Sequence, residues 1–287
     1  MYLVVDVGGT FTKYGYYSNT GKCLEKGKLS TVKTNCDDFY QSITNLIKDD
    51  VEGIALSMPG IIDSDHGYIH AITLLPFLNK CSIKQDLESL SHLPVSIEND
   101  AKCATIGEMW KGSLCHVRNG FMIVLGTGVG GTCLLDGRII TSAHYKAGEI
   151  GSLLIPIDEH YKMMTNFGKM NNAVKLVYDL SQILNCENDG KIVFEKLPDC
   201  QKAMEHLRLY ARRMAVMIYN LDYLFDLDCV SIGGAISQQP LFIEIIQKEF
   251  KSLRKLYKEE HHEPHITACQ LNNEAQLLGA LHHHLKE

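Results

Sequence analysis

The pair Asn99-Asp100 stands where the apolar run "PVSIE" gives way to a helical pattern that begins at Ala101. An aspartate in that place can take a proton from an attacking hydroxyl, which is general-base chemistry. Either residue can equally cap the helix, because a short polar side chain accepts the first orphan N–H groups. Three glycine clusters follow short β-branched runs: "DVGGT" at 6–10, "GTGVGG" at 126–131 and "GG" at 233–234. Glycines let a backbone reach positive φ, approach a ligand closely and present successive N–H groups as an anion-binding concavity. Gly126, Gly128 and Gly131 also match the G-x-G-x-x-G of dinucleotide enzymes, with Glu149 and Asp158 near the place of an acidic ribose partner. That fingerprint needs a helix after the loop. Here the β-like "TCLLDGRII" follows, with Asp136-Gly137 as a turn dipeptide, so the dinucleotide reading fails. No G-x-x-x-x-G-K-[ST] occurs, and a P-loop is absent.

The elements that would carry these residues follow from periodicity. Tyr2–Val5, "FTKYGYY" and Lys22–Thr31 read as strands, so the chain opens strand, glycine turn, strand. Asp37–Lys48 has an acidic start and apolar residues at helical spacing. "VEGIALSMPGII" is a buried strand broken at Pro59-Gly60, "SIKQDLESL" is helical, and Ala101–Trp110 is a helix. The second half opens in the same way, with "FMIVLG", a glycine turn and two further strand-like runs, which implies a duplicated architecture. Asp199–Phe225 is a long helix, "DCVSIGGAIS" a strand, a glycine turn and the start of a helix, and the tail a strand followed by a closing helix. The boundary between the halves falls in the polar loop near 113–120.

Composition limits the partners. Of 287 residues 45% are hydrophobic and 22% charged, so the chain can fold around a sizeable core. A net charge of −6 argues against sequence-independent nucleic-acid binding, which needs a basic surface. No stretch approaches the ~20 apolar residues of a membrane span, and "MYLVVDVGG" lacks the basic start of a signal peptide. The ten cysteines form no C-x-x-C pair, and free thiols in a reducing cytoplasm are expected. His261-His262 with Glu263 and His265, and His282–His284, are expected on solvated surface, since adjacent helical residues point apart and cannot share one ion.

Together these segments resemble the ROK sugar kinases of the actin-like ATPase superfamily. "DVGGTFTKYG" looks like the family's first phosphate motif, and "LGTGVGGTCLLDGRIITSAHYKAGEIG" is similar to its central signature. "SIENDAKCATIGE" resembles the segment of the catalytic aspartate, "SIGGAIS" the adenosine-contacting turn, and "ITACQLNNEAQLLGAL" the family's tail. The matches span nearly the whole chain in the family's order. The resemblance implies two α/β, ribonuclease H-like lobes with an active-site cleft between them. Residues 1–117, completed by the helix 273–287, would form the sugar and phosphate lobe; 118–272 would form the nucleotide-binding and dimerisation lobe. A homodimer is expected by analogy. The first phosphate strand begins at Tyr2, leaving no room for the DNA-binding helix-turn-helix of the family's repressors.

Carried over residue by residue, Asp100 would be the general base and Asn99 a sugar ligand. Asp6 would hold Mg²⁺ through water. Gly8, Gly9, Thr10, Gly126, Thr127 and Gly128 would cradle the phosphates of ATP, while Gly233 and Gly234 would face the adenosine. Gly60 and Glu149 would meet the sugar. Many members carry a His after Gly-Glu-Ile-Gly and then a cysteine cluster that binds zinc. Here Ser152 takes the His position, and the following segment has no cysteine, so no structural zinc is expected. That leaves Ser152, with Asn166 or Asn171, as expected pocket residues. The "AITLLPFLNK" stretch looks most like β-glucoside kinases or glucokinases, acting on the 6-hydroxyl of a glucose-type hexose. N-acetylmannosamine kinase is the alternative, and a catalytically silent sugar-binding regulator is the alternative of another class.

Overall fold

The apolar run that opens the chain becomes β1 (Tyr2–Val7), and the alternating "FTKYGYY" returns beside it as antiparallel β2 (Phe11–Tyr17), followed by β3 (Cys23–Ser30). After α1 (Cys36–Thr44) come β4 (Gly53–Met58), the hairpin β5 (Ile61–Asp63) and β6 (Tyr68–Ala71), α2 (Ile83–Ser91), β7 (Val95–Asn99) and α3 (Asp100–Lys111). The sheet order is β3-β2-β1-β4-β7, with β4 and β7 parallel to β1. Strands buried on both faces read as continuous apolar runs, which is why "GIALSM" shows no alternation. This computed structural model describes residues 1–156 and 162–287, and it divides into two units. The first comprises Met1–Cys115, Thr141–Lys146 and Asn273–Glu287; the second comprises His116–Ile140 and Ala147–Asn272.

The second unit repeats the plan. Strands β8 (Gly120–Leu125), β9 (Val129–Leu135) and β10 (Arg138–Ile139) pair antiparallel. The short β11 (Leu154–Pro156) and β12 (Met164–Asn166) pair with each other, and then come α4 (Phe167–Asn171), α5 (Ala173–Leu184), α6 (Gly190–Lys196) and α7 (Gln201–Phe225). β13 (Cys229–Gly233), α8 (Pro240–Leu256) and β14 (His265–Ala268) complete a sheet of order β10-β9-β8-β13-β14, with β13 and β14 parallel to β8. The duplication expected from the two glycine turns is therefore present in topology. Each glycine turn joins the first two strands of its own sheet. The first strand parallel to the opening strand also has a glycine at its C-terminal end in each sheet, Gly60 two residues beyond β4 and Gly233 as the last residue of β13.

Two expectations need correction. Thr141–Lys146 belongs with the first unit, not the second, because Tyr145 stacks on His70 with ring centroids 5.4 Å apart and its hydroxyl hydrogen-bonds Asp63. The histidines of the C-terminal helix α9 (Ala275–His284) are not solvated surface either. His282 stacks on Trp110 at 4.5 Å, and His284 Nδ1 lies 2.9 Å from Ser96 Oγ. His261, His262, Glu263 and His265 are exposed as expected. Helix α9 lies against α3 so closely that a Cβ at Gly279 would collide with the Cys103 carbonyl, and one at Gly107 with that of Ala275. The closing helix thus braces the helix that begins with Asp100.

Burial lowers the His282 pKa to about 4, with Lys286, His283 and Lys111 acting in the same direction. A folded pKa below the unfolded one means that the unfolded chain binds the extra proton, so stability is lost as pH falls from about 6.5 towards about 4. Thermal midpoints measured across that window should fall with pH. His282→Phe, which keeps the stack on Trp110 and cannot titrate, should flatten the dependence; an unchanged slope would exclude His282 as its source.

Candidate active site

In the first unit, the turn from β7 into α3 settles which residue caps the helix. Asn99 Oδ1 accepts from Ala101 N at 3.0 Å and Lys102 N at 3.1 Å, so Asn99 is the N-cap. Its Nδ2 donates to the Gly60 carbonyl at 3.0 Å, tying this turn to the end of β4. Gly60 holds φ 119°, and a Cβ there would stand 2.6 Å from the Ala71 carbonyl, so that turn requires glycine. The N-cap therefore falls on Asn99 rather than on Asp100. It is the first helical residue, half-buried, with Oδ1 accepting from its neighbour Ala101 N at 2.8 Å.

Asp6, next to last in β1, is buried, accepting from Ser57 Oγ at 2.8 Å, with Lys13 Nζ at 3.9 Å. Burial raises its pKa; the Ser57 hydrogen bond and the Lys13 charge only partly oppose that. The Cys103 thiol is fully buried, and burial holds its pKa well above the ordinary value; Glu98, Asp6 and Asp100 also contribute to its shift. Asp6 and Asp100 therefore lie within electrostatic range of one thiol. A buried carboxylate with its charge incompletely compensated fits a site for a cation. Among the described residues no group of three His, Cys, Asp or Glu could hold a metal ion directly. Next to Asp6, the exposed turn Gly8-Gly9-Thr10 is pinned by Thr31, whose Oγ1 donates to the Gly8 carbonyl at 2.7 Å and whose N donates to the Thr10 carbonyl at 3.1 Å.

In the second unit, Gly126, Thr127 and Gly128 are exposed between β8 and β9. None of Gly8, Gly9, Gly126 and Gly128 has positive φ, contrary to the expectation from their residue type. What glycine supplies at 126 and 128 is open space, since an added Cβ meets nothing within 4 Å. The Gly126 carbonyl accepts from Ala173 N at 3.0 Å, so the N-terminus of α5 is anchored on this loop. A helix N-terminus beside a bare backbone turn favours an anion. A cavity of about 580 Å³ adjoins it, with apolar walls from Leu125, Val174, Val177, Phe194 and Ile236 and polar groups from Asn188, Asp189, Lys191 and Gln239. Volume and lining suit a small organic ligand with a few polar groups.

The other expected residues fall into three groups. Gly234, at φ 98°, packs so tightly on Leu125 that a Cβ would strike its carbonyl, which brings the following Ala235 and Ile236 into the cavity wall. Gly233 is buried against Met122 and Cys269. Glu149 and Ser152 are exposed in the turn after Gly148, held against β9 by Gly131 and Gly151. Asn166 is half-buried and caps α4, and Asn171 is fully buried, accepting from Arg213 Nε at 2.7 Å and from Tyr210 Oη at 2.6 Å. Asp158 lies outside the described residues. The sequence reading missed α5, α6 and the cavity residues on them, although Asn172 and Asp189 each precede apolar residues at helical spacing. It also missed the buried Glu98–Lys102 pair, 3.5 Å apart, in which Glu98 Oε1 accepts from Asn99 N at 2.6 Å.

Comparison with known proteins agrees with this layout. The ROK family profile matches residues 2–286. The β-glucoside kinase of Klebsiella pneumoniae is 26% identical over 289 residues, covering 97% of this chain and 94% of the relative. The N-acetyl-D-glucosamine kinase of Vibrio cholerae is 28% identical over 280 residues, covering 86% and 88%. The crystal structure of a ROK family protein from Streptococcus pneumoniae in complex with sucrose superposes with a TM-score of 0.87 at 29% identity, covering 99% of this chain and 97% of that one.

The raised Asp6 pKa has a definite sign. Ionised Asp6 costs the ligand-free fold stability, and the cost appears as pH rises from the ordinary carboxylate range through the folded pKa. Asp6→Asn should therefore keep or raise the thermal midpoint of ligand-free protein at pH 7. The same variant should lose the increment that Mg²⁺ adds in the presence of nucleotide. A lower ligand-free midpoint with the Mg²⁺ increment intact would make Asp6 a structural residue.

Proposed function

This chain belongs to the ROK family and is a sugar kinase, and from that premise we propose that it transfers the γ-phosphoryl group of ATP to the 6-hydroxyl of a glucose-type hexose or β-glucoside. The observation that carries the reading is the Asn99–Asp100 junction, where the cap falls on Asn99 and leaves the Asp100 carboxylate at the helix start. Asp100 takes the hydroxyl proton as that oxygen attacks phosphorus, a contribution of about 10²–10⁴-fold. The remaining Asn99 amide hydrogen and the backbone at Gly60 orient the sugar, and Glu149 with Ser152 binds further hydroxyls.

On the donor side, adenosine occupies the cavity of the second unit, and the amides of Thr127 and Gly128 take phosphate oxygens, the Gly126 N–H being bonded to the Gly128 carbonyl at 3.0 Å. In the first unit, Gly9 and Thr10 present amides in the same manner, the Gly8 N–H being bonded to the Phe11 carbonyl at 3.1 Å, and Asp6 would hold hydrated Mg²⁺. Bound there, the cation would neutralise phosphate charge; positioning and neutralisation supply most of the rate in phosphoryl transfer. The relatives' names point to glucosides and to an N-acetylated glucosamine as neighbouring acceptors.

A coupled ADP-release screen over glucose, cellobiose, N-acetylglucosamine, N-acetylmannosamine and fructose tests the reading. Glucose or cellobiose should lead in kcat/KM by about tenfold, some 1.4 kcal/mol of transition-state discrimination. A lead for either N-acetylated sugar would replace the acceptor with a hexosamine. No acceptor-dependent ADP release from any sugar would favour a sugar-binding regulator.

A further inference from the structure

A second cavity in the second unit, of about 340 Å³, lies away from the nucleotide loop and is lined by Thr165, Lys169, Lys175, Asp179, His206 and Arg213, among others. Its charges do not balance. Asp179 is engaged by Lys175 at 2.6 Å and by His206 at 3.5 Å. Arg213 is half-buried, donates Nε to Asn171 and lies over the Tyr210 ring at 5.9 Å, and has no carboxylate within 4.0 Å among the described residues. Burial lowers its pKa, and Tyr210 and the more distant Asp179 only partly oppose that. Lys169, exposed at the rim, forms no ion pair among the described residues either.

We propose that this cavity binds a small phosphate-bearing anion, held by Arg213 and Lys169 with the Thr165 hydroxyl, and that its occupancy is felt at the nucleotide loop. A planar guanidinium with free N–H donors suits two oxygens of a phosphate, and a flexible ammonium supplies the second charge. The connection to the loop is short and continuous. Arg213 and Tyr210 on α7 both hydrogen-bond Asn171; Asn172 follows as the cap of α5; and Ala173 donates to the Gly126 carbonyl at 3.0 Å. An anion that draws Arg213 therefore acts on the same Asn171 that fixes the start of α5.

Calorimetric titration of the full chain with inorganic phosphate, at constant ionic strength and with saturating Mg-AMPPNP to occupy the nucleotide loops, tests the site. Saturable binding is expected with nucleotide present, weakened by about tenfold or more in Arg213→Met and in Lys169→Met, as for loss of a charge-assisted hydrogen bond. Phosphate should also change the KM for ATP severalfold in the wild type and not in Lys169→Met. Arg213→Met removes a partner of Asn171 and can disturb the fold; Lys169 is exposed, so its variant keeps the test decisive. Phosphate binding abolished by AMPPNP, or equal in Lys169→Met and wild type, would overturn the site. Binding with no change in KM would overturn the link to the loop. The binding arm is independent of the sugar-kinase reading, whereas the KM arm rests on it.

Discussion

The hydrogen bonds of one side chain, Asn99, hold the acceptor half of the site together. Its carbonyl oxygen satisfies two orphan donors at the start of α3, and its amide reaches the Gly60 carbonyl at the end of β4. Two loops from parallel strands are thus fixed to one another, and the direction in which α3 leaves the sheet is set. Asp100, the next residue, inherits that direction without contributing the cap. Behind it, α3 is backed by α9 through the close approaches at Gly107 and Gly279, which leave no room for a side chain. The cap and the bracing helix together hold the start of α3 in place.

The second unit solves a different problem with the same topology. Its glycine turn presents bare backbone, and what orients that backbone is the bond from Ala173 at the head of α5 to Gly126. The turn after β13 is drawn against Leu125 at Gly234, so one strand end, one helix start and one glycine turn converge on a single cavity. The two sheets share strand order and sense, yet they surround different chemistry. In the first, a buried carboxylate and a helix-leading aspartate are within electrostatic range of Cys103; in the second, a helix start and an apolar recess lie beside an open loop.

Much of this was legible in the residues. Strands β1, β2, β4, β7 and β8 are short apolar or alternating runs that stop at polar or glycine residues, and α7 carries a long apolar stripe. The rejection of a dinucleotide loop rested on the β-like run after "GTGVGG", and β9 occupies that place. The glycines of the two turns depart from expectation in one respect: Gly8, Gly9, Gly126 and Gly128 lack positive φ, and at 126 and 128 what glycine supplies is open space. Capping could not be divided between Asn99 and Asp100 from residue type, since both are good N-caps; backbone geometry decided it. Asn171 looked like a polar pocket residue because sequence does not reveal burial. The histidines of α9 misled for a related reason, as their partners Trp110 and Ser96 are distant in the chain.

The central claim is that Asp100 performs the chemistry while Asn99 performs the architecture. Single-turnover phosphoryl transfer from ATP to the best acceptor, measured in Asp100→Asn beside its thermal midpoint and nucleotide affinity, tests that division directly. The rate should fall by about 10²–10⁴-fold with midpoint and nucleotide affinity nearly unchanged. A rate within about tenfold of wild type, less than a positioned general base contributes, would contradict the account.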